Sequence, residues 1–295
     1  MKALVTGGAG FIGSNLVDEL LRLNYEVVVI DSSSMGYLNI NSQNHIIDVC
    51  NYELTKDLYQ GVDYVFHLAA VSNIGDSINN PINSFKVNTL GTAVVLECAR
   101  QANVKKVILS STASAYGNNH VPNVELQIDD PLNPYAVSKV SAEKICSMYT
   151  DLFKLNTIIL RYFNVYGPRQ PKSGQHRPIF SIFMDQKQNN KSLTVVGDGS
   201  QKRDFVHVSD VVRANILAAQ TDLLTEMYGQ VYNVGSGTNH SVLEIANMIS
   251  NDISFIPERI GEIKESLSSI DKIRAALGWE PKIKLEEWIQ ENNNA

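Results

Sequence analysis

The chain of 295 residues is poor in cysteine: Cys50, Cys98 and Cys146 stand apart, without the spacing of metal ligands or of a disulfide framework. They read as buried, reduced thiols. The six histidines are equally scattered, with no two at helical ligand spacing, so no metal site is expected. No apolar run approaches the roughly 20 residues that a membrane span needs, and the N-terminus enters an apolar strand directly, without a secretory pattern. A cytoplasmic protein without a membrane partner is the expectation. A positive excess is lacking too: the net charge is −6, which argues against nucleic acid as a partner. The exception is local, since between Arg161 and Arg213 nine Lys or Arg face four acids. A small anionic ligand would be welcome there, although a solvated positive face has the same signature.

What is present is enough apolar sequence, 44% of residues, to bury a full core in one large domain or two unequal lobes. Short apolar runs at 3–6, 27–30, 62–68, 107–110, 157–160 and 231–234 read as strands. Helical periodicities lie between them, at 12–23, 87–100, 136–153 and 208–220. The alternation predicts an α/β fold, a parallel sheet with helices on both faces.

The segment VTGGAGFIG, residues 5–13, follows the first strand and opens the first helix. In that context Gly8-x-Gly10-x-x-Gly13 signals a dinucleotide whose pyrophosphate sits on the helix N-terminus, the glycines letting phosphate approach the main chain. Asp31 ends the second strand 18 residues after Gly13, where a carboxylate accepts hydrogen bonds from a ribose and repels a 2′-phosphate. No Lys or Arg occurs from Ser32 to Thr55 to bind that phosphate, so NAD is preferred over NADP.

A second constellation carries chemistry. NPYAVSK sets Tyr135 and Lys139 four residues apart behind Pro134, a helix-starting residue, so both share one helical face. A phenol with an ordinary pKa near ~10 becomes a base only where positive charge, such as a nearby ammonium, stabilises the phenolate. Upstream, a strand ends in Ser110, Ser111 and Thr112, whose hydroxyls can bridge a substrate hydroxyl and the tyrosine.

TGGAGFIG, HLAA, SSTASAYG, PYAVSK and RYFNVYGPRQ together resemble the extended short-chain dehydrogenase/reductase superfamily, and within it the nucleotide-sugar epimerases, from Lys2 to about Trp288. The resemblance implies a Rossmann doubly wound sheet with a smaller C-terminal substrate-binding lobe, and Thr112, Tyr135 and Lys139 as the catalytic set. Gly7, Gly10, Phe11, Ile12, Gly13 and Asp31 would hold NAD. It further implies Asp48 and Val49 at the adenine, Leu68, Ala69, Ala70 and Ser110 along the cofactor, Asn88 in support and Tyr162 near the nicotinamide. Asn164 and Arg203 would hold the sugar nucleotide, with Arg259 joining Arg203 on a UDP diphosphate, Val196 on the base and Glu262 at the ribose or sugar.

Similar dehydratases and decarboxylases carry an acid just after the catalytic Thr; Ala113 and Ser114 stand there, and neither can perform elimination or decarboxylation. Hydride exchange alone remains, which fits C4 epimerisation of a UDP-hexose or simple reduction. Epimerases restricted to plain glucose and galactose place a tyrosine about seven residues beyond the diphosphate arginine; here the position is Ser266, which leaves room for an N-acetyl group. A nucleotide-sugar reductase or dehydrogenase and a non-catalytic dinucleotide sensor are the alternatives. The expected division is 1–164 with 208–237 for NAD, and 165–207 with 238–295 for substrate. The resemblance also implies a homodimer through helices 87–100 and 136–153, although Val94, Val140, Ile145 and Met148 suit an ordinary core equally well.

Overall fold

The computed structural model describes residues 1–171, 177–257 and 263–293. Along the chain, β1 (Lys2–Thr6), α1 (Phe11–Arg22), β2 (Glu26–Asp31), β3 (Gln43–Ile46), α2 (Tyr52–Thr55), β4 (Tyr64–His67), α3 (Ile74–Asn79), α4 (Pro81–Phe85), α5 (Gly91–Gln101), β5 (Lys106–Thr112), α6 (Pro134–Phe153) and β6 (Thr157–Tyr162) follow one another. Then come β7 (Asn164–Tyr166), α7 (Ile179–Gln188), β8 (Leu193–Val196), β9 (Lys202–His207), α8 (Val208–Gln220), β10 (Val231–Val234), β11 (Asn239–Ser241), α9 (Val242–Ile249), β12 (Ile253–Ile256), α10 (Asp271–Leu277) and α11 (Leu285–Asn293).

Seven strands form one parallel sheet in the order β10-β6-β5-β4-β1-β2-β3. Both faces are buried, which is why these strands read as continuous apolar runs rather than alternating ones. Successive residues serve opposite cores: Ala3, Val5, Val27 and Val29 pack with α1, α8 and α10, whereas Leu4, Val28 and Ile30 pack with α5 and α6. The expected α/β architecture is thus the observed one. β3, with the polar sequence QNHI, carries no apolar signal because it is an edge strand exposed along most of its length.

The strand order reverses between β1 and β4, and chain connections leave these two strands in opposite directions across the sheet. A crevice therefore opens beyond their carboxyl ends. A third apolar cluster, including Tyr166, Phe180, Phe205, Val242, Ile245 and Leu285, supports the small sheets β11-β9-β7 and β12-β8. Ile270, Ile273, Leu277 and Trp279, expected in the smaller lobe, instead pack into the core of the large sheet, because α10 lays its apolar side beside α8 and β10.

The helix expected at 87–100 begins differently. A five-residue π-type turn, Lys86–Leu90, precedes α5 and carries the fully buried Asn88. Of the cysteines, Cys98 and Cys146 are buried as expected, but Cys50 is only half-buried, since it lies on the loop between β3 and α2. Among the described residues no helix is long and apolar enough to cross a membrane, and no group of His, Cys, Asp or Glu could hold a metal ion.

Candidate active site

A cleft of about 990 Å³ lies at the carboxyl edge of the large sheet, lined by Gly7, Gly10, Asp31, Leu68, Thr112 and Tyr162 among others. Those residues lie at or just beyond the carboxyl ends of β1, β2, β4, β5 and β6, with Gly10 at the N-cap of α1.

The glycine loop serves two needs. At Gly13 a Cβ would fall on the Gly7 carbonyl oxygen, and at Gly8 it would lie 2.7 Å from Val29 Cγ1. These two positions are closed by the protein's own packing of α1 against β1 and β2. Gly7 has φ +73°, and its Cβ would stand 2.6 Å from Ala69 N. Only at Gly10, exposed at the helix N-cap, does the missing side chain leave space facing the cleft. Space for a phosphate is thus left at Gly10, while Gly8 and Gly13 answer to internal packing. The first turn of α1 holds no acid, so its free N–H groups and positive end are available to an anion.

Asp31 accepts from Ala9 N at 2.9 Å and Ser33 N at 2.9 Å, which fixes its carboxylate at the cleft wall. Phe11, Ile12, Asp48, Val49, Ala69, Ala70 and Ser110 also line the cleft. These donors, the acid and the side-chain-free Gly10 fit a dinucleotide. Asn88 does not reach the cleft: it accepts from Val71 N at 2.8 Å and donates to Ser138 Oγ at 2.9 Å, tying the segment after β4 to α6. It acts as a brace because the widened turn aims it inward.

α6 starts sharply. Asn133 caps it by accepting from Ala136 N, Pro134 occupies the first turn, and Tyr135 N donates to Ser77 Oγ. One turn apart, Tyr135 and Lys139 both face the cleft that Thr112 lines. Burial raises the Tyr135 pKa above the ordinary phenol value, against a weaker lowering by its hydrogen bond to Thr112. The same burial depresses Lys139 to about 8, with Glu143 partly opposing, so the amine stays mostly charged at neutral pH. Beneath the pair, Glu143 accepts from Arg161 Nε at 2.8 Å and from Ser111 Oγ at 2.5 Å, locking α6 to β5 and β6.

Sequence reasoning passed over His67. It is buried between Thr6 Oγ1 at 2.7 Å and Thr92 Oγ1 at 2.9 Å, and burial holds it neutral with a pKa of about 3. Thr6 Oγ1 in turn accepts from Ala69 N, so this histidine fixes the ends of β1 and β4 where the sheet order reverses. Its only sequence signal was a polar residue closing an apolar strand.

Of the described residues assigned to the sugar nucleotide, Thr112 lines the cleft, and Asn164, Val196, Arg203 and Ser266 do not. Asn164 donates to Asp204 O at 2.8 Å, and Arg203 donates to Lys202 O at 2.9 Å. Ser266 N reaches Lys202 O, which sets Asn164, Arg203 and Ser266 on adjoining segments. Val196 lies in β8, opposite Ile256 of β12. Arg259 and Glu262 lie outside the described residues. Two arginines of the positive stretch pair with acids outside it, Arg161 with Glu143 and Asp129 and Arg169 with Asp18, while Arg213 pairs with Asp210 inside it. Counting along the stretch misses this because the fold brings distant acids to Arg161 and Arg169.

The model of the family described as NAD dependent epimerase/dehydratase family matches residues 3–235. The chain belongs to that family. Membership makes NAD its cofactor and bears out the resemblance seen in the motifs. Among relatives of this epimerase/dehydratase, a protein named putative UDP-glucose 4-epimerase of Methanocaldococcus jannaschii is 37% identical, over 98% of this chain and 99% of that one. The crystal structure of UDP-glucose 4-epimerase with UDP-glucose from Thermotoga maritima aligns with TM-score 0.93 at 35% identity, covering 100% of this chain and 98% of that one. A UDP-N-acetylglucosamine 4-epimerase from Methanobrevibacter ruminantium, in complex with UDP-N-acetylmuramic acid, aligns with TM-score 0.92 at 32% identity, covering 99% and 97%.

Proposed function

We propose that the protein inverts C4 of a UDP-hexose through a transient 4-keto sugar, acting on UDP-glucose and UDP-galactose and also on their 2-N-acetyl counterparts. The observation that carries this reading is the juxtaposition of Thr112, Tyr135 and Lys139 on one cleft, followed by Ala113 and Ser114, which offer no acid for a further step. NAD, when bound, supplies a hydride acceptor and donor and a positive ring beside the phenol. Tyr135 takes the proton of the sugar 4-hydroxyl as C4 loses hydride, and returns a proton to the oxygen when hydride comes back to the opposite face of the ketone. Thr112 holds the reacting oxygen against Tyr135, and Lys139 contributes positive charge from one turn below. Arg203, Arg259 and Asn164 hold the nucleotide end, with Val196 at the base and Glu262 at the ribose or sugar. Ser266, small beside them, supports tolerance of an acetamido group. In a homodimer, α5 and α6 supply the shared face; Met148, Leu152 and Phe153 of α6 are exposed in the single chain.

The reading is tested by incubating the purified protein, without added NAD, with each of the four sugar nucleotides and following products by chromatography. Interconversion within each pair is expected. Accumulation of a reduced cofactor with a released keto sugar would replace the epimerase reading by a dehydrogenase one.

A further inference from the structure

The region proposed for the sugar nucleotide has a buried organiser that no sequence motif singled out. Asp204 is fully buried, 0% exposed, and its carboxylate accepts five hydrogen bonds from two separate loops. Ser236 donates through N at 2.7 Å and Oγ at 2.8 Å to one oxygen. Gly237 N at 3.2 Å, Ser268 N at 3.0 Å and Ser268 Oγ at 2.5 Å donate to the other. Burial pushes the pKa of this acid up, and the hydrogen bonds from Ser268 and Ser236 act against that. The main chain of the same residue completes the pattern. Asp204 O accepts from Asn164 Nδ2, Asp204 N donates to Ser266 Oγ at 3.4 Å, and Arg203 is its neighbour in β9. Gly235 belongs to the arrangement, since a Cβ there would collide with Ser268 Oγ and lie 2.8 Å from the Asp204 carboxylate.

One residue thus gathers the loop after β10, the segment 266–268, β7 and β9. Three of the residues assigned to the sugar nucleotide, Asn164, Arg203 and Ser266, are its direct neighbours. A buried acid with five donors is more than packing in this place requires; a well-filled apolar side chain would avoid the desolvation.

We infer that Asp204 is a positioning residue for substrate: its carboxylate anchors the loop 236–237 and Ser268 against β9, and so holds in place the main chain that bonds Asn164 and Ser266 beside Arg203, the arrangement that binds a nucleoside diphosphate. The inference rests on the epimerase reading for the identity of the ligand, but not for its test. Removing the charge leaves buried donors facing an amide, and the loosened elements should bind ligand about tenfold or more weakly. The cofactor end, built on β1, β2 and β4, shares none of these bonds.

The experiment uses the full-length protein with NAD bound, and compares wild type with Asp204→Asn by calorimetric titration with UDP itself. The dissociation constant for UDP is expected to rise about tenfold or more, while NAD content stays at the wild-type level. With a UDP-hexose turned over by the wild type, KM rises by a similar factor and kcat stays within about threefold. Unchanged UDP affinity in Asp204→Asn overturns the inference, as does loss of NAD in parallel with UDP, which would mark a general collapse. Should that variant not fold, the double change Ser236→Ala with Ser268→Ala decides: weaker UDP binding with NAD retained supports the inference, and equal binding overturns it. A wild type that binds UDP but converts no sugar nucleotide removes the epimerase reading and leaves the positioning role standing.

Discussion

The cleft and the neighbouring region proposed for the sugar nucleotide are built in different ways. The cofactor end draws on residues 7–13, 31, 48–49 and 68–70, each closing a strand of the parallel sheet or following it directly. The residues proposed for substrate, Asn164, Arg203 and Ser266, come from segments about 40 and 60 residues apart and are joined through hydrogen bonds that cross the chain. In the first, strand order alone brings the residues together, and glycines let the backbone itself form the wall. In the second, nothing meets until short strands and one buried carboxylate have assembled it. A change at the cofactor end should therefore disturb fold, NAD content and rate together, and a change at the substrate end should alter what is bound and little else.

The largest expected effect is at the point where the two ends meet. Tyr135→Phe removes the proton acceptor and should lower kcat by about 10³-fold, with NAD content unchanged, as measured by turnover and by cofactor released on denaturation. Gly13→Ala tests the close approach beneath the loop: its Cβ would land on a backbone oxygen that cannot move aside. Loss of about 3 kcal/mol or more of stability, together with bound NAD, is expected in denaturant titrations.

Lys139→Met separates charge from packing. Burial lowers the lysine from 10.5 to about 8, so below that pH the folded protein carries a charge that it disfavours. Replacing it should stabilise the fold at pH 7 by about 3 kcal/mol, seen as a higher Tm, while activity falls. In the wild type, activity should decline as pH rises through about 8 and the ammonium is lost; Lys139→Arg, which keeps its charge, should move that limb upward.

His67 gives a smaller effect with a definite sign. Its folded pKa of about 3 lies below the ordinary 6.5, so its contribution is fully present above pH 6.5 and is lost as pH falls towards 3. From pH 7 to pH 5 this amounts to about 2 kcal/mol, and His67→Asn should flatten that part of the stability profile measured in urea. Smallest in free energy, and confined to the substrate end, is Ser266→Tyr. It should reduce turnover of the acetylated pair about tenfold or more relative to the plain pair, with Tm and NAD content unmoved. Equal loss on both pairs would mean that position 266 does not read the 2-substituent.

How much was legible follows the same division. Apart from the exposed edge strand β3, the strands of the large sheet were readable because both of their faces are buried, and α8 was readable to its ends, Val208 and Gln220, from its apolar periodicity. Tyr135, Lys139 and Thr112 were readable because a helix start and a strand end have local signatures. The π-type turn at Asn88 was not, since its widened geometry answers to Val71 and Ser138, far from it in sequence. The positive stretch misled for a related reason: Asp18 and Asp129 neutralise arginines that are distant along the chain.

By itself, the sequence determined the α/β layering, the glycine turn, the acid closing the second strand and the chemistry of the phenol, hydroxyl and amine. Those depend on periodicity, on backbone conformations open to glycine, and on side-chain type, all local properties. Only the tertiary structure decided how far burial would shift Tyr135 and Lys139, which arginines find partners, and that Asp204 would gather the substrate end. Dielectric surroundings and hydrogen-bond partners belong to the packed arrangement of distant segments, and no single stretch of chain contains them.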